Sequence, residues 1–398
     1  MPGPPHPAAR HVAARVAAMG ETIFAEMSAL AIRTGAVNLG QGFPDTDGPP
    51  ELIGAAVDAL RGGANQYAPG IGVPALRQAI ARHQQRHYGI ELDPDTQVVV
   101  TTGCTEAIAG ALLGLVDPGD EVIVLEPYYD SYTAMIAFAG GVRRPVTLRA
   151  PDFRLDPAEL EAAVTPRTRL ILLNTPHNPT GRVLDADELA AVARVAQAYD
   201  LTVVTDEVYE HLTFDDRVHV PLATLPGMAE RTLTLSSAGK SWSVTGWKVG
   251  WATGPAHLVA AVTAAKQWLT YTSGAPLQPA VAAALDSPSD FPARLRADLQ
   301  ARRDELVAGL SGAGLTSYTP EGTYFATTDV SALGWASGGD FCRALPERAG
   351  VVAIPSEVFY DEPDAPGAGR HLVRWAFCKR PEVIAEAVRR LQAADLRA

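Results

Sequence analysis

Between Val98 and Gly254 the chain repeats one pattern. Short β-branched or leucine-rich runs (VVVTTG, EVIVLEP, RLILLN, LTVVTDE, TLTLSS, VGWATG) alternate with longer stretches of helical character. Runs that are apolar throughout suit strands covered on both faces, and strands separated by helices pair side by side through crossovers. The pattern predicts an α/β core with a mostly parallel sheet and helices on both faces. Helices are predicted over 74–87, 105–116, 186–199 and 257–268, each bounded by Gly, Pro, Asp or Thr where caps are favoured. Beyond Asp286 the pattern changes to a long charged helix over 291–310, strands around Tyr324 and Leu372, and a last helix over 381–391, which predicts a smaller α+β domain. The expected division is 1–45 as an N-terminal arm and part of the small domain, 46–286 as the large domain and 287–398 as the small one.

A formal net charge of -12 repels nucleic acid and anionic membrane surfaces, so neither is an expected partner. Any phosphate must be gripped by a local pocket, which makes small-molecule chemistry the leading class. Cys104, Cys342 and Cys378 form no CxxC and no even set, which predicts a reducing compartment, the cytoplasm. The best apolar stretch, 108–116, is far short of the roughly 20 residues of a membrane span. The first twenty residues lack the apolar core of a secretory signal and read as a flexible arm.

Three local patterns suggest other chemistry. Gly70-x-Gly72-x-x-Ala75 resembles a dinucleotide fingerprint, but it follows NQYAP rather than an apolar strand, so a glycine turn into a helix is the better reading. Ser237-x-x-Lys240 matches a Ser/Lys acyl-enzyme motif, although SDN and KTG partners are missing. His83 and His87 share a helical face, but HQQRH lacks the Glu of a zinc hydrolase. They read as solvated helix surface, and no metal site is expected.

In open parallel sheets ligands sit at the carboxyl ends of strands. The residues there form one coherent set: Gly103, Cys104 and Thr105 after VVVTT, Tyr128 and Tyr129 after VLEP, Asn178 after LLNTPH, Asp206 and Tyr209 after LTVV, and Ser237 and Lys240 after TLTL. Singly, Asn178 is a turn residue, Asp206 a cap and Lys240 a surface lysine. Together, at spacings of roughly one βαβ unit (about thirty residues), they return to one sheet edge and match an anionic, aromatic, amine-bound cofactor.

From NLGQGFPD to VRWAFCK the chain resembles the class I aminotransferases of fold type I, which depend on pyridoxal 5'-phosphate (PLP). NLGQGFPD, TPHNPTG, TDEVYEHL, SSAGK and GWKVGW resemble the branch of kynurenine, glutamine and cysteine-conjugate transaminases and bacterial N-succinyldiaminopimelate aminotransferases. The resemblance implies that Lys240 holds PLP as a Schiff base and shuttles a proton. It implies that Asp206 faces the pyridine nitrogen, Tyr209 and Asn178 bond the ring phenolic oxygen, and Tyr129 stacks on the ring. The phosphate is expected at the helix opened by Thr105, on the backbone of Gly103, Cys104 and Thr105 with Ser237 and Lys248. Many relatives have Arg where Lys248 stands, and Cys104 is expected to act through its backbone alone. Arg374 is expected to clamp the substrate carboxylate bidentately, with Gly42, Asn178 and Phe24 beside it. Tyr67 is expected to reach the phosphate of a neighbouring subunit, which implies a homodimer with shared sites. The implied reaction exchanges an amino group between an amino acid and a 2-oxo acid such as 2-oxoglutarate. A lysine-biosynthetic N-succinyl-LL-2,6-diaminopimelate is the leading donor, and kynurenine or glutamine transamination and β-lyase chemistry are the alternatives. Phe24, Tyr128 and Tyr271 are candidate aromatic walls. A Ser237 hydrolase and a non-catalytic binding domain are more distant readings.

Overall fold

Apolar side chains on both sides of a strand leave it stable only between two layers, and the central strands of this chain are built that way. In β3 (Glu121–Glu126), Val122 and Val124 enter one core while Ile123 and Leu125 enter the other. In β5 (Thr168–Asn174), Leu170 and Leu172 oppose Ile171 and Leu173 in the same way. The computed structural model describes residues 12–17, 20 and 22–398, so most of the expected N-terminal arm lies outside the described residues. The remaining strands of the large sheet are β2 (Val98–Thr102), β4 (Val142–Thr147), β6 (Thr202–Asp206), β7 (Thr232–Ser237) and β8 (Val249–Thr253). Their order is β2-β8-β7-β6-β5-β3-β4, with β8 antiparallel to both neighbours and the other pairings parallel.

Two details differ from the sequence expectation. The VGWAT run forms β8 antiparallel, because the segment between Ser237 and Val249 is too short for a crossover over the sheet. β4 escaped the apolar pattern altogether: VRRPVT carries two arginines and a proline, which suits the sheet edge it occupies.

The helix expected to open at Thr105 opens at Gly103 and runs to Leu115. It packs against Ala256–Lys266, and the fit is close enough that a Cβ on Gly114 would lie 2.6 Å from the Ala261 carbonyl. A second sheet, ordered β12-β13-β10-β9 and antiparallel throughout, comprises β9 (Thr316–Tyr318), β10 (Phe325–Asp329), β12 (Ile354–Pro355) and β13 (Leu372–Ala376). The helices Phe291–Gly312 and Pro381–Ala393 pack together beside it. The N-terminal strand β1 (Val37–Asn38) pairs in parallel with β11 (Val351–Val352), Val37 opposite Val351. That pairing brings the Gly40–Phe43 turn over the carboxyl edge of the large sheet, facing β13.

Candidate active site

A cavity of about 330 Å³ lies between that turn, the sheet edge and β13. Its lining includes Phe24, Gly42, Gly103, Cys104, Thr105, Tyr129, Asn178, Asp206, Tyr209, Ser237, Lys240, Lys248 and Arg374. Residues spread over 350 positions of sequence thus converge: most follow strand ends of the large sheet, Lys248 immediately precedes β8, Arg374 sits on β13, and Phe24 comes from the helix Ile23–Thr34.

Lys240 stands on the short helix Ala238–Ser241 after β7. Its Nζ donates to Tyr324 Oη at 2.6 Å, and Tyr324 Oη donates to the Gly42 carbonyl at 2.7 Å, which fixes the amine in the cavity. The amine is held by Tyr324, not by Ser237. Burial draws the Lys240 amine down to about 8, and the positive charges of Lys248 and Arg374 act the same way, against Asp206 and Cys378. Such an amine is far closer to its neutral, nucleophilic form at physiological pH than a surface lysine.

Asp206 ends β6 and is buried. It accepts from Tyr132 Oη at 2.7 Å, the Val208 N–H at 3.3 Å and the Cys104 thiol at 3.5 Å. Burial pushes its carboxyl above the ordinary range, and the Tyr132, Val208 and Cys104 bonds and the Lys240 charge pull it back. Cys104 is therefore not limited to its backbone, as the sequence suggested: its thiol steadies Asp206. Tyr132 was missed, although Tyr129 and Tyr132 in YYDSY have the i,i+3 spacing that shares a helix face. Tyr129 lines the cavity, with burial pushing its phenol up to about 12.

Asn174, at the end of β5, was also missed. Its Nδ2 donates to the Asp206 carbonyl at 2.8 Å, and its Oδ1 accepts the Asn178 N–H at 2.7 Å, so it sets both neighbours at once. Asn178 Oδ1 accepts from Arg374 Nη1 at 3.2 Å, which leaves its Nδ2 free to donate into the cavity. Tyr209 packs edge-on against Tyr324, centroids 5.2 Å apart, and the Lys240 amine lies 5.7 Å from its ring centre.

The helix N-terminus at Gly103 forms an anion cradle. Gly103 has φ 68°, and Lys248 reaches Thr105 Oγ1 with its Nζ at 3.2 Å. A Cβ on Gly250 would sit 2.5 Å from the Gly103 carbonyl carbon, so only glycine lets β8 approach the cradle this closely. Ser237 makes no capping bond to its own helix and presents its hydroxyl to the cavity lining.

Arg374 is 2% exposed and lies at the middle of β13, between Ile354 and Thr327. Its Nη2 donates to the Gly40 carbonyl at 3.1 Å, and its guanidinium carbon stands 4.0 Å from the Phe325 ring centre and 5.1 Å from that of Phe24. Among the described residues its hydrogen-bond partners are Asn178 and Gly40 and no carboxylate bonds it directly, while its Nε has no partner. Burial pulls the guanidinium down to about 10. Asp130, which lines the same cavity, offsets the buried charge from a distance without forming an ion pair, so the two donor edges of the guanidinium are open to a bound carboxylate.

Two candidate aromatic walls stand elsewhere. Tyr128 is turned away from the cavity and donates to Asp361, so it is no substrate wall. Tyr271 packs against Tyr67, with ring centres 5.6 Å apart, outside the cavity. Tyr67 itself is 85% exposed and touches none of the cradle residues of its own chain. His83, expected on solvated surface, is buried.

Residues 34–391 match the family model for aminotransferase class I and II, and the chain belongs to that family. It is 56% identical over 382 residues to the probable N-succinyldiaminopimelate aminotransferase DapC of Mycobacterium tuberculosis, covering 93% of this chain and 95% of that one. The solved structure of N-succinyldiaminopimelate aminotransferase from Mycobacterium tuberculosis superposes with a TM-score of 0.93 at 55% identity, covering 96% of this chain and 99% of that one. The methionine aminotransferase of Escherichia coli is 40% identical over 374 residues, 94% of this chain and 96% of the relative.

Proposed function

We propose that this aminotransferase carries PLP on Lys240 and takes N-succinyl-LL-2,6-diaminopimelate as amino donor, with 2-oxoglutarate as acceptor. The observation that carries the site reading is Arg374, a buried guanidinium facing the cavity with no carboxylate of its own. The donor set fits PLP: a cradle for a phosphate dianion, a buried carboxylate for a ring nitrogen, and a buried amine lowered toward neutrality. When bound, PLP supplies the electron sink that labilises the substrate α-proton and carries the amino group between the two substrates.

The chain's own residues do the rest. Lys240 moves a proton at the substrate α-carbon, positioned by Tyr324 when its amine is free. Asp206 keeps a proton on the ring nitrogen, and Tyr132, Cys104 and Asn174 orient it. Asn178 and Tyr209 would hold the ring through its phenolic oxygen, and Tyr129 would pack against the ring. The backbone of Gly103, Cys104 and Thr105, with Ser237 and Lys248, holds the phosphate. Arg374 receives the α-carboxylate as a two-pronged donor, with Gly42 and Phe24 closing that end.

Tyr67 belongs to the site of a second subunit in this reading, and the working form is a homodimer. Its support is an exposed apolar patch of Tyr67, Trp268 (86% exposed), Leu269 and Tyr271. That patch adjoins the cradle, since Thr102 hydrogen bonds Thr270 at 3.0 Å and Ser273 at 2.9 Å. Mixing Lys240→Ala and Tyr67→Phe chains then restores one fully native site per heterodimer, and a monomer in sedimentation refutes the sharing. Three buried free thiols fit a cytoplasmic location, and no helix among the described residues is long and apolar enough to cross a membrane.

The substrate reading is supported by the 56% identity to the mycobacterial relative. In this chain's cavity the cations are Lys240, Lys248 and Arg374, all engaged by the cofactor and the α-carboxylate, so the distal carboxylates of the donor meet Gln41, main-chain N–H groups or the second subunit. The test compares kcat/KM for N-succinyl-LL-2,6-diaminopimelate with kynurenine, glutamine, methionine and phenylalanine. A competitor ahead by more than about tenfold, roughly 1.4 kcal/mol of discrimination, removes this donor while leaving the class untouched.

A further inference from the structure

Three histidines meet where the helix Pro74–Tyr88 faces the segment that follows β6. His83 and His87 stand one helical turn apart on the helix Pro74–Tyr88, and His211 comes from the segment that follows β6. One nitrogen of each ring lies within 4.8 Å of one from each other ring. The Nε2 atoms of His83 and His211 are 2.8 Å apart, and the centres of the three rings lie 4.5 to 5.0 Å from one another. No part of the aminotransferase reading uses these side chains.

We infer that His83, His87 and His211 form a site for a divalent transition-metal ion of the zinc class, bound by three imidazoles with a fourth position open to solvent. The spacing supports it. Nitrogens on a tetrahedral zinc at about 2.0–2.1 Å stand roughly 3.3 Å apart, so the His83–His211 pair opens by about 0.5 Å, and the exposed His87 ring, within 4.8 Å of both, closes by up to about 1.5 Å through side-chain rotation. An i,i+4 histidine pair plus a third ring from another element is the arrangement by which a helix and a loop share an ion. The ring of His83 is held through its Nε2 by His211, and its buried Nδ1 has no hydrogen-bond partner among the described residues. A cavity of about 500 Å³ opens beside the cluster and admits water as the fourth ligand.

Charge around the cluster is mixed. Glu210, buried and hydrogen bonded to Tyr88 and Ser236, supplies the nearby negative charge that favours a cation. Arg86, Arg217 and Arg296 line the same cavity and oppose it, although Arg217 is paired with Glu321 and His219 is bonded to Glu207. Burial draws His83 down to about 3 and lowers His87 and His211 as well.

Position gives the site a consequence. His211 lies two residues beyond Tyr209 and five beyond Asp206, so an ion here ties the cofactor-facing segment to the helix Pro74–Tyr88. It acts as a clamp on that segment and touches no reacting atom.

The test uses the PLP-loaded enzyme, stripped of metal with a chelator and titrated with Zn²⁺ by calorimetry, then with Co²⁺ to read the visible bands of tetrahedral nitrogen ligation. One ion per chain is expected, with Tm raised by about 3 °C at a hundredfold excess over Kd. His87→Ala and His211→Ala should each weaken binding by roughly a hundredfold or more, while His257→Ala, an exposed histidine on another helix, binds as the parent does. His87 is exposed, so its variant is expected to keep the parent's metal-free Tm and cofactor absorbance, which separates lost ligation from lost folding. Absence of one-to-one binding, or unchanged affinity in both the His87 and His211 variants, overturns the inference.

Discussion

Arg374→Lys separates a two-pronged carboxylate clamp from a simple positive charge. In the free enzyme Arg374 spends Nη1 on Asn178 and Nη2 on Gly40, each with a further N–H to offer, and the aromatic rings of Phe24, Phe325 and Phe359 surround its planar face. Lysine keeps the charge but loses the fork and the stacking. The loss is one charge-assisted hydrogen bond to the substrate carboxylate, about 1.5–3 kcal/mol, or roughly a ten- to hundredfold rise in KM. Donor and acceptor present the same α-carboxylate in turn, so both KM values must rise by similar factors. The assay is steady-state transamination with donor and 2-oxoglutarate varied independently, alongside the cofactor's visible absorbance, which is expected to change little because lysine keeps the positive charge that acts on Lys240. A rise in only one KM, or a fall in kcat with both KM values intact, refutes the shared-clamp argument.

Asp206→Asn should retain PLP but lose turnover by roughly a hundredfold or more, since an amide cannot hold the ring nitrogen protonated; single-turnover rates check it. Tyr132→Phe removes a bond that lowers the Asp206 carboxyl, so in the cofactor-free chain the Asp206 titration, followed by NMR, should move to higher pH; an unmoved or lowered midpoint contradicts the hydrogen-bond argument. Capture of PLP by the cofactor-free chain should accelerate with pH around a midpoint of about 8, because the neutral amine is the reacting form and burial has brought Lys240 down from 10.5. A midpoint near that of a free lysine would count against the burial argument.

Much of this architecture was legible because the central strands are apolar on both faces and several active residues follow strand ends. That logic located Lys240, Asp206, Asn178 and the Gly103–Thr105 cradle from runs such as TLTL and LTVV. It could not find β4, whose arginines and proline suit an edge, and it could not give the direction of β8, which depends on connection length. Tyr324 and Asn174 escaped because their roles come from tertiary contacts: one reaches Lys240 from the small sheet, and the other links two loops. Tyr128 was misplaced because adjacent residues after a strand point to opposite sides, and its partner Asp361 is distant in sequence. His83 was misread for the same reason, since a helical face shows its exposure only once His211 is packed against it.

The central claim, that the cofactor is carried on Lys240, is tested most directly by reducing the purified yellow enzyme with borohydride and mapping the labelled peptide. The structure predicts a single pyridoxyl-modified lysine in the peptide containing SSAGK, at Lys240, and none in a Lys240→Ala protein. A label on any other lysine, or an active protein that yields none, would contradict the account.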